Sequence, residues 1–205
     1  MKDNQPIYLP PPRPRGKISL EEALARRRSI RDFTPRPLSL SHLSQMLWAT
    51  QGISEPLRQF RTAPSAGATY PLDVFVVCGQ NGVENISEGV YQYNPEEHTL
   101  SRHLAGDLRR ELARAALNEA FIYRAPLNIV LCVEYQRTTW RYGSRGERYV
   151  HIEVGHVGQN IYLQAVALGL NTVAVGAFRD EEVSRVLYLD KDCQPLYIMP
   201  VGWSG

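Results

Sequence analysis

The sequence predicts a fold of mixed helices and strands, on three observations. Short runs rich in Val, Ile and Leu, such as DVFVVC (73–78) and NIVLCVEY (128–135), have the length and composition of strands. Other segments, such as 39–50, repeat their apolar residues at helical spacing. The chain has 205 residues, 43% of them hydrophobic, which is enough for a real core. One compact globular domain, or one subunit of an oligomer, follows.

From the N-terminus, residues 1–16 form a Pro-rich arm ahead of a domain spanning 17–205. PIYLPPPRPRG should be extended, in the polyproline II conformation. Its PxxP pattern (Pro11, Pro14) suits an SH3-type ligand, or an arm lying on a neighbouring subunit or on the domain surface. Ser19 and Glu22 make a capping-box pair that starts a helix through EEALARR, ending near Ser29. A second amphipathic helix spans Ser39 to Thr50, with Leu40, Leu43, Met46 and Leu47 apolar. Strands follow at 73–78 and 89–94; Asn94-Pro95 turns the chain into a return strand reaching Leu100. GDLRRELARAAL (106–117) is a helix capped by Asp107, and 128–135 is a strand. A long helix runs from Tyr149 to Leu168. TVAVGAF (172–178) is a strand, Glu181 to Leu187 a short helix, and PLYIMPVG the last strand.

The long helix is apolar on most faces, through Val150, Ile152, Val154, Val157, Ile161, Leu163, Val166 and Leu168. Such a helix is buried, either in a core or between subunits. Gly155, Gly158 and Ala165 permit close backbone approach, and in so short a chain a subunit interface is favoured.

Composition narrows the function. A formal net charge of +2 with acidic residues interspersed does not indicate nucleic acid. The start has no signal-peptide pattern and no stretch is apolar enough to span a bilayer, so a cytoplasmic protein with no membrane partner is expected. Cys78, Cys132 and Cys193 are odd in number and far apart, which indicates neither a disulfide framework nor a clustered metal site.

Three constellations carry chemistry. RRRSIRDF (26–33) concentrates four arginines. Cations at a helix C-terminus are favourable by about 0.3–1 kcal/mol, but one or two satisfy that role. Four repel one another unless an anion answers them, and a phosphate suits the guanidinium fork. RTAPSAGATYP (61–71) lets backbone lie against a flat or phosphorylated ligand, or is an ordinary loop; it matches no P-loop or dinucleotide fingerprint. Glu153, His156, Gln159 and Asn160 form a polar line on the apolar helix. Glu153-x-x-His156 is half of a di-iron motif without its second half, so a buried hydrogen-bond network is the better reading and no metal is expected. No G-x-S-x-G elbow supports a serine hydrolase.

Together, RRSIRDF, APSAGATYP and AVGAF resemble the FMN-dependent nitroreductase superfamily. YGSRGERYVHIEVGHVGQNIYLQAVALGL is similar to its SagB-type dehydrogenase subgroup, and the likeness runs from about residue 17 to the end. The resemblance implies an α+β fold, with a mixed, mainly antiparallel central sheet flanked by helices, in an intertwined homodimer with FMN at the subunit interface. It places Arg27, Arg28 and Ser29 on the FMN phosphate and ribityl chain, and Arg31 near the pyrimidine edge. It brings Pro64, Ser65, Ala66 and Gly67 to the same flavin from the partner subunit, with Val175, Gly176 and Ala177 along the ring. No protein catalytic residue is implied, because flavin N5 carries the hydride. The activity implied is an oxidoreductase acting on a small electrophile, a nitroarene or quinone, with NADH or NADPH as donor. A flavin-handling protein with little turnover and a SagB-like peptide dehydrogenase are the alternatives. Two departures stand out. Many relatives end in P-V-G-R where this chain has Trp203, so weaker FMN affinity, or neutralisation by Arg145, is expected. The azoline-oxidising members carry a Lys-Tyr pair, and here no lysine precedes a tyrosine.

Overall fold

The computed structural model describes residues 5–205; Met1–Asn4 of the expected arm lie outside them. In chain order the elements are β1 (Ile7–Tyr8), α1 (Leu20–Arg26), α2 (Leu40–Gln51), β2 (Ile53–Glu55), β3 (Phe60–Arg61), a 3-10 turn (Ala66–Ala68), β4 (Leu72–Cys78), β5 (Gly89–Asn94), β6 (Thr99–Ala105), α3 (Arg109–Ala115), α4 (Ala120–Arg124), β7 (Leu127–Glu134), α5 (Gln136–Tyr142), α6 (Arg145–Leu168), β8 (Asn171–Thr172), α7 (Asp180–Leu187) and β9 (Cys193–Gly202). The central sheet has seven strands in the order β1-β6-β5-β4-β7-β9-β8. Each strand pairing in it is antiparallel. The class is α+β, as expected.

The apolar runs have a direct cause. On β4 and β7, Val74, Val76, Ile129, Leu131 and Val133 join one core with α2 and α6. Their neighbours Phe75, Val77, Val130 and Cys132 join a second core with α3, α4 and α7. Strand side chains alternate between faces, so a sheet covered on both sides needs apolar residues at nearly every position. Helix α6 turns Val150, Val154, Val157, Ile161 and Ala165 into the first core. The reading of α6 as apolar all round is therefore corrected: its inward face belongs to its own chain's core, while Ile152, Gly155, His156 and Gln159 face outward.

Several boundaries also move. Helix α1 stops at Arg26, not near Ser29, because Ile30 N–H pairs with Thr172 O at 3.0 Å and draws the chain into extended form. Arg27 and Arg31 consequently share no helical face. Leu108, not Asp107, is the N-cap of α3; Asp107 is spent on Arg109, with Oδ2 2.6 Å from Nη2. Helix α6 starts at Arg145, four residues before the expected Tyr149, and α4 and α5 are short helices that periodicity did not reveal. The strand expected at 172–178 shrinks to β8 plus one bridge, Val175 to Ile198. In register with both, Val173 faces Pro200, which has no N–H to give, and Ala174 N–H, which points away from β9, donates to Tyr162 Oη.

The described part of the Pro-rich segment lies on its own chain. β1 pairs with β6, Arg13 N–H donates to Gln45 Oε1 at 2.8 Å, and Ser44 Oγ donates to Pro10 O. Ile161 is fully buried where α6 meets the sheet. Ile161→Ala should lower unfolding stability by about 2–5 kcal/mol, read from the urea midpoint at unchanged slope.

Candidate functional site

The four clustered arginines divide into two kinds. Arg26 pairs with Glu22 at 2.7 Å, and Arg28 Nη1 donates to Ala25 O and Arg27 O, so both serve the end of α1. Arg27 and Arg31 have no carboxylate partner among the described residues and lie over aromatic rings instead. The Arg27 guanidinium is 5.2 Å from the Tyr162 ring centroid, and that of Arg31 is 5.7 Å from Phe121. Both keep their planar donors available.

Tyr162 joins two of the three predicted segments. Its hydroxyl accepts Ala174 N–H at 2.8 Å and lies 2.8 Å from Ser29 Oγ. That bond, with Ile30 N–H to Thr172 O, sets the 27–31 segment beside 172–177. Val175 is buried and bridged to Ile198; Gly176 and Ala177 are exposed, with backbone open to a ligand. Sequence reasoning missed Tyr162, although a polar-tipped ring on an apolar helix is a recognisable signal.

The third segment is elsewhere on the same chain. Ser65 faces Glu153, nine residues before Tyr162 on α6 and so roughly 14 Å away along it, on the opposite side. Within one chain, Pro64–Gly67 therefore do not join Arg27 and Val175–Ala177. Pro64 and Gly67 are exposed, and Ser65 and Ala66 half-buried. Gly67 is left-handed at φ 61, and a Cβ there would meet Tyr142 Oη at 2.5 Å and Arg141 Nη1 at 2.9 Å. Arg141 and Tyr142 of α5 thus stand over the turn, a pair that sequence reasoning also missed.

Arg145, at the start of α6, is seventeen residues from Tyr162, roughly 25 Å along the helix, and cannot reach the arginine segment of its own chain. Trp203 has a packing role: Nε1 donates to Pro37 O at 3.2 Å, Arg36 lies 4.1 Å over its ring, and His42 meets it edge-on. The buried network expected of the polar line on α6 does not form: its members do not bond one another, and His156 and Gln159 face outward. Glu153 is buried, and Asn160 Nδ2 donates to Thr62 O. No cluster able to hold a metal occurs among the described residues, and no described helix is long and apolar enough to cross a membrane.

Known proteins share this fold. The fold is nitroreductase-like: a nitroreductase-type structure from Ralstonia eutropha superposes with a TM-score of 0.85 at 28% identity, over 100% of this chain and 92% of that one. Residues 24–203 match the Nitroreductase family. MJ1384 of Methanocaldococcus jannaschii, whose name places it with the nitroreductases, is 47% identical over 202 residues, 98% of each chain. The microcin B17-processing protein McbC of Escherichia coli is 26% identical over 179 residues, 80% of this chain but 62% of McbC. The chain belongs to the nitroreductase family.

Burial is the main force on Glu153, pushing its pKa from 4.5 to about 7; Ser65, Gln51 and the Arg61 charge oppose it. Unfolded, the residue loses its proton near 4.5; folded, it keeps the proton to about 7. The folded chain binds more protons across that window, so stability should fall as pH rises from 4.5 to 7, by on the order of 2–3 kcal/mol. Urea titrations at several pH values should show this slope in the native chain and its loss in Glu153→Gln.

Proposed function

We propose that the chain is an FMN-dependent oxidoreductase, working as a cytoplasmic homodimer with flavin sites shared between subunits. Its reaction passes hydride from NADH or NADPH to a small electrophile such as a nitroarene or quinone. The observation that carries this reading is the pair of carboxylate-free guanidinium groups, Arg27 and Arg31, beside Tyr162 and the open backbone of Gly176 and Ala177. Charged donors suit a phosphate, and a small-residue segment suits a planar ring. The residues present therefore fit FMN.

Bound FMN would supply hydride transfer at N5. Arg27 and Ser29 would hold the phosphate and ribityl chain, with Arg28 at their side, and Tyr162 keeps the Ser29 hydroxyl in place. Arg31 would set positive charge beside the ring. Val175, Gly176 and Ala177 would lie along it. The separation of Pro64–Gly67 from these residues within one chain supports a second subunit as their source. The outward stripe of α6, with Ile152 exposed, supports the same pairing. Three free cysteines agree with a reducing compartment.

Purified protein should carry one FMN per subunit and scatter light as a dimer at micromolar concentration; a colourless monomer that takes up no added FMN would contradict the proposal. Turnover with NADH or NADPH and a nitro or quinone acceptor separates an enzyme from a flavin-holding protein. Arg27→Ala should weaken FMN binding about ten- to a hundred-fold, the loss of a charge-assisted hydrogen bond worth roughly 1.5–3 kcal/mol. Arg31→Ala should chiefly lower the midpoint potential, with a smaller effect on affinity. Calorimetry and spectroelectrochemistry of the two variants decide this, and two unchanged proteins would remove the arginines from the site.

A further inference from the structure

The Pro-rich segment encloses a space as it crosses the domain. Gln45 of α2 takes Arg13 N–H at Oε1 (2.8 Å), and its Nε2 donates to Arg13 O (3.2 Å) and to Gln164 Oε1 on α6 (3.1 Å). Upstream, Pro10 O accepts from Ser44 Oγ and lies 3.2 Å from His98 Nε2. The arm is thus pinned through its backbone, and its long side chains stay uncommitted. Between it and α1, α2 and α6 lies a cleft of about 1260 Å³. Small-molecule sites are typically clefts of about 300–1,000 Å³, so this one has room for a ligand of several parts.

Its walls sort by chemistry. Ala23 of α1, Trp48 of α2, and Leu163 and Ala167 of α6 supply apolar surface, with the Trp48 indole held by its Nε1–H bond to Ile53 O at 3.2 Å. Ser41 and Asn160 add hydroxyl and amide groups. Arg13, Arg15 and Lys17 line the arm side, all exposed and without a carboxylate partner among the described residues. No described aspartate or glutamate lines the cleft, although the chain carries 21 of them against 23 lysines and arginines. An ordinary solvated face would mix the signs. A cleft lined by one sign focuses its field and draws in an anion. None of Arg27–Arg31, Pro64–Gly67 or Val175–Ala177 lines it, so it is separate from the candidate flavin site.

We propose that this cleft is a second binding site, for a nucleotide whose base lies against Trp48 and the apolar wall and whose phosphates meet Arg13, Arg15 and Lys17. A nucleobase gains from stacking on an aromatic ring, and guanidinium groups suit phosphate oxygens. The sugar hydroxyls fall to Ser41 and Asn160. Inorganic phosphate alone would leave the apolar wall wet, and an acyl chain would bury the hydroxyl and amide groups without partners. A nucleotide answers both walls.

Calorimetric titration of the native full-length protein with ADP, with and without saturating FMN, tests this. ADP should bind once per subunit under both conditions, and more weakly as salt rises. Adenosine, which lacks the phosphates, and pyrophosphate, which lacks the base, should each bind about tenfold or more weakly. Replacing Arg13, Arg15 and Lys17 together by glutamine should weaken ADP about ten- to a hundredfold and leave FMN affinity unchanged. Ala167→Phe, which fills the apolar wall, should remove ADP binding, and the urea midpoint checks that each variant is folded. If Ala167→Phe does not fold, the triple variant decides. No heat with ADP up to millimolar concentration overturns the proposal and leaves the cleft to a second copy of the chain or an acidic peptide. ADP displaced one for one by FMN, or bound equally well by the triple variant, overturns it too. A protein that takes up no FMN contradicts the flavin reading alone, and the ADP titrations still decide the cleft.

Discussion

Helix α6 lies against the central sheet through Val150, Val154, Val157, Ile161 and Ala165, and both halves of the candidate site hang from it. Once that face is packed, the rest of the helix has no rotational freedom, because interiors are close-packed and a shift of one position would expose the apolar row. Tyr162 and Glu153 are thereby aimed to opposite sides of the helix. Each gathers a segment with little regular structure of its own. Tyr162 collects Ser29 and Ala174; Glu153 faces Ser65 and Gln51. The site is built from loops, and the helix supplies their rigidity.

This arrangement explains how an extended, arginine-rich segment can be ordered. The cost of holding flexible side chains is offset locally: Arg26 by Glu22, Arg28 by the end carbonyls of α1, and Arg27 and Arg31 by aromatic faces. A ring attracts a cation without using its hydrogen-bond donors. Arg27 and Arg31 can thus be positioned by the protein and still have donors for an anion. A carboxylate in either place would have held the arginine more firmly and blocked that use.

Family membership sits comfortably with the departures in this chain. Trp203 is a packing residue under Arg36, bonded to Pro37 O, so the C-terminal strand ends in a hydrophobic clasp rather than a charge. Within one subunit, no other described arginine on α6 replaces it near Tyr162.

Much of the scaffold was legible from residues alone. Strands β4, β7 and β9 and helices α2 and α7 follow from composition and period, since burial on a sheet or helix face repeats along the chain. The arginine cluster and the PSAG loop also stood out, because unusual residue types are visible wherever they fold, while VGAF read as a plain strand and entered only through the family resemblance. Tertiary structure decided what no local pattern contains. Pro200 on the neighbouring strand β9 stands opposite Val173 with no N–H for the ladder, and Thr172 O takes the Ile30 N–H just beyond the end of α1. Tyr162 acquired its role from partners 133 and 12 positions away in sequence, Ser29 and Ala174. Local sequence therefore determined which segments are helix, strand or loop, while contacts between distant segments determined which loops share a site; only the folded chain brings those partners within hydrogen-bonding range.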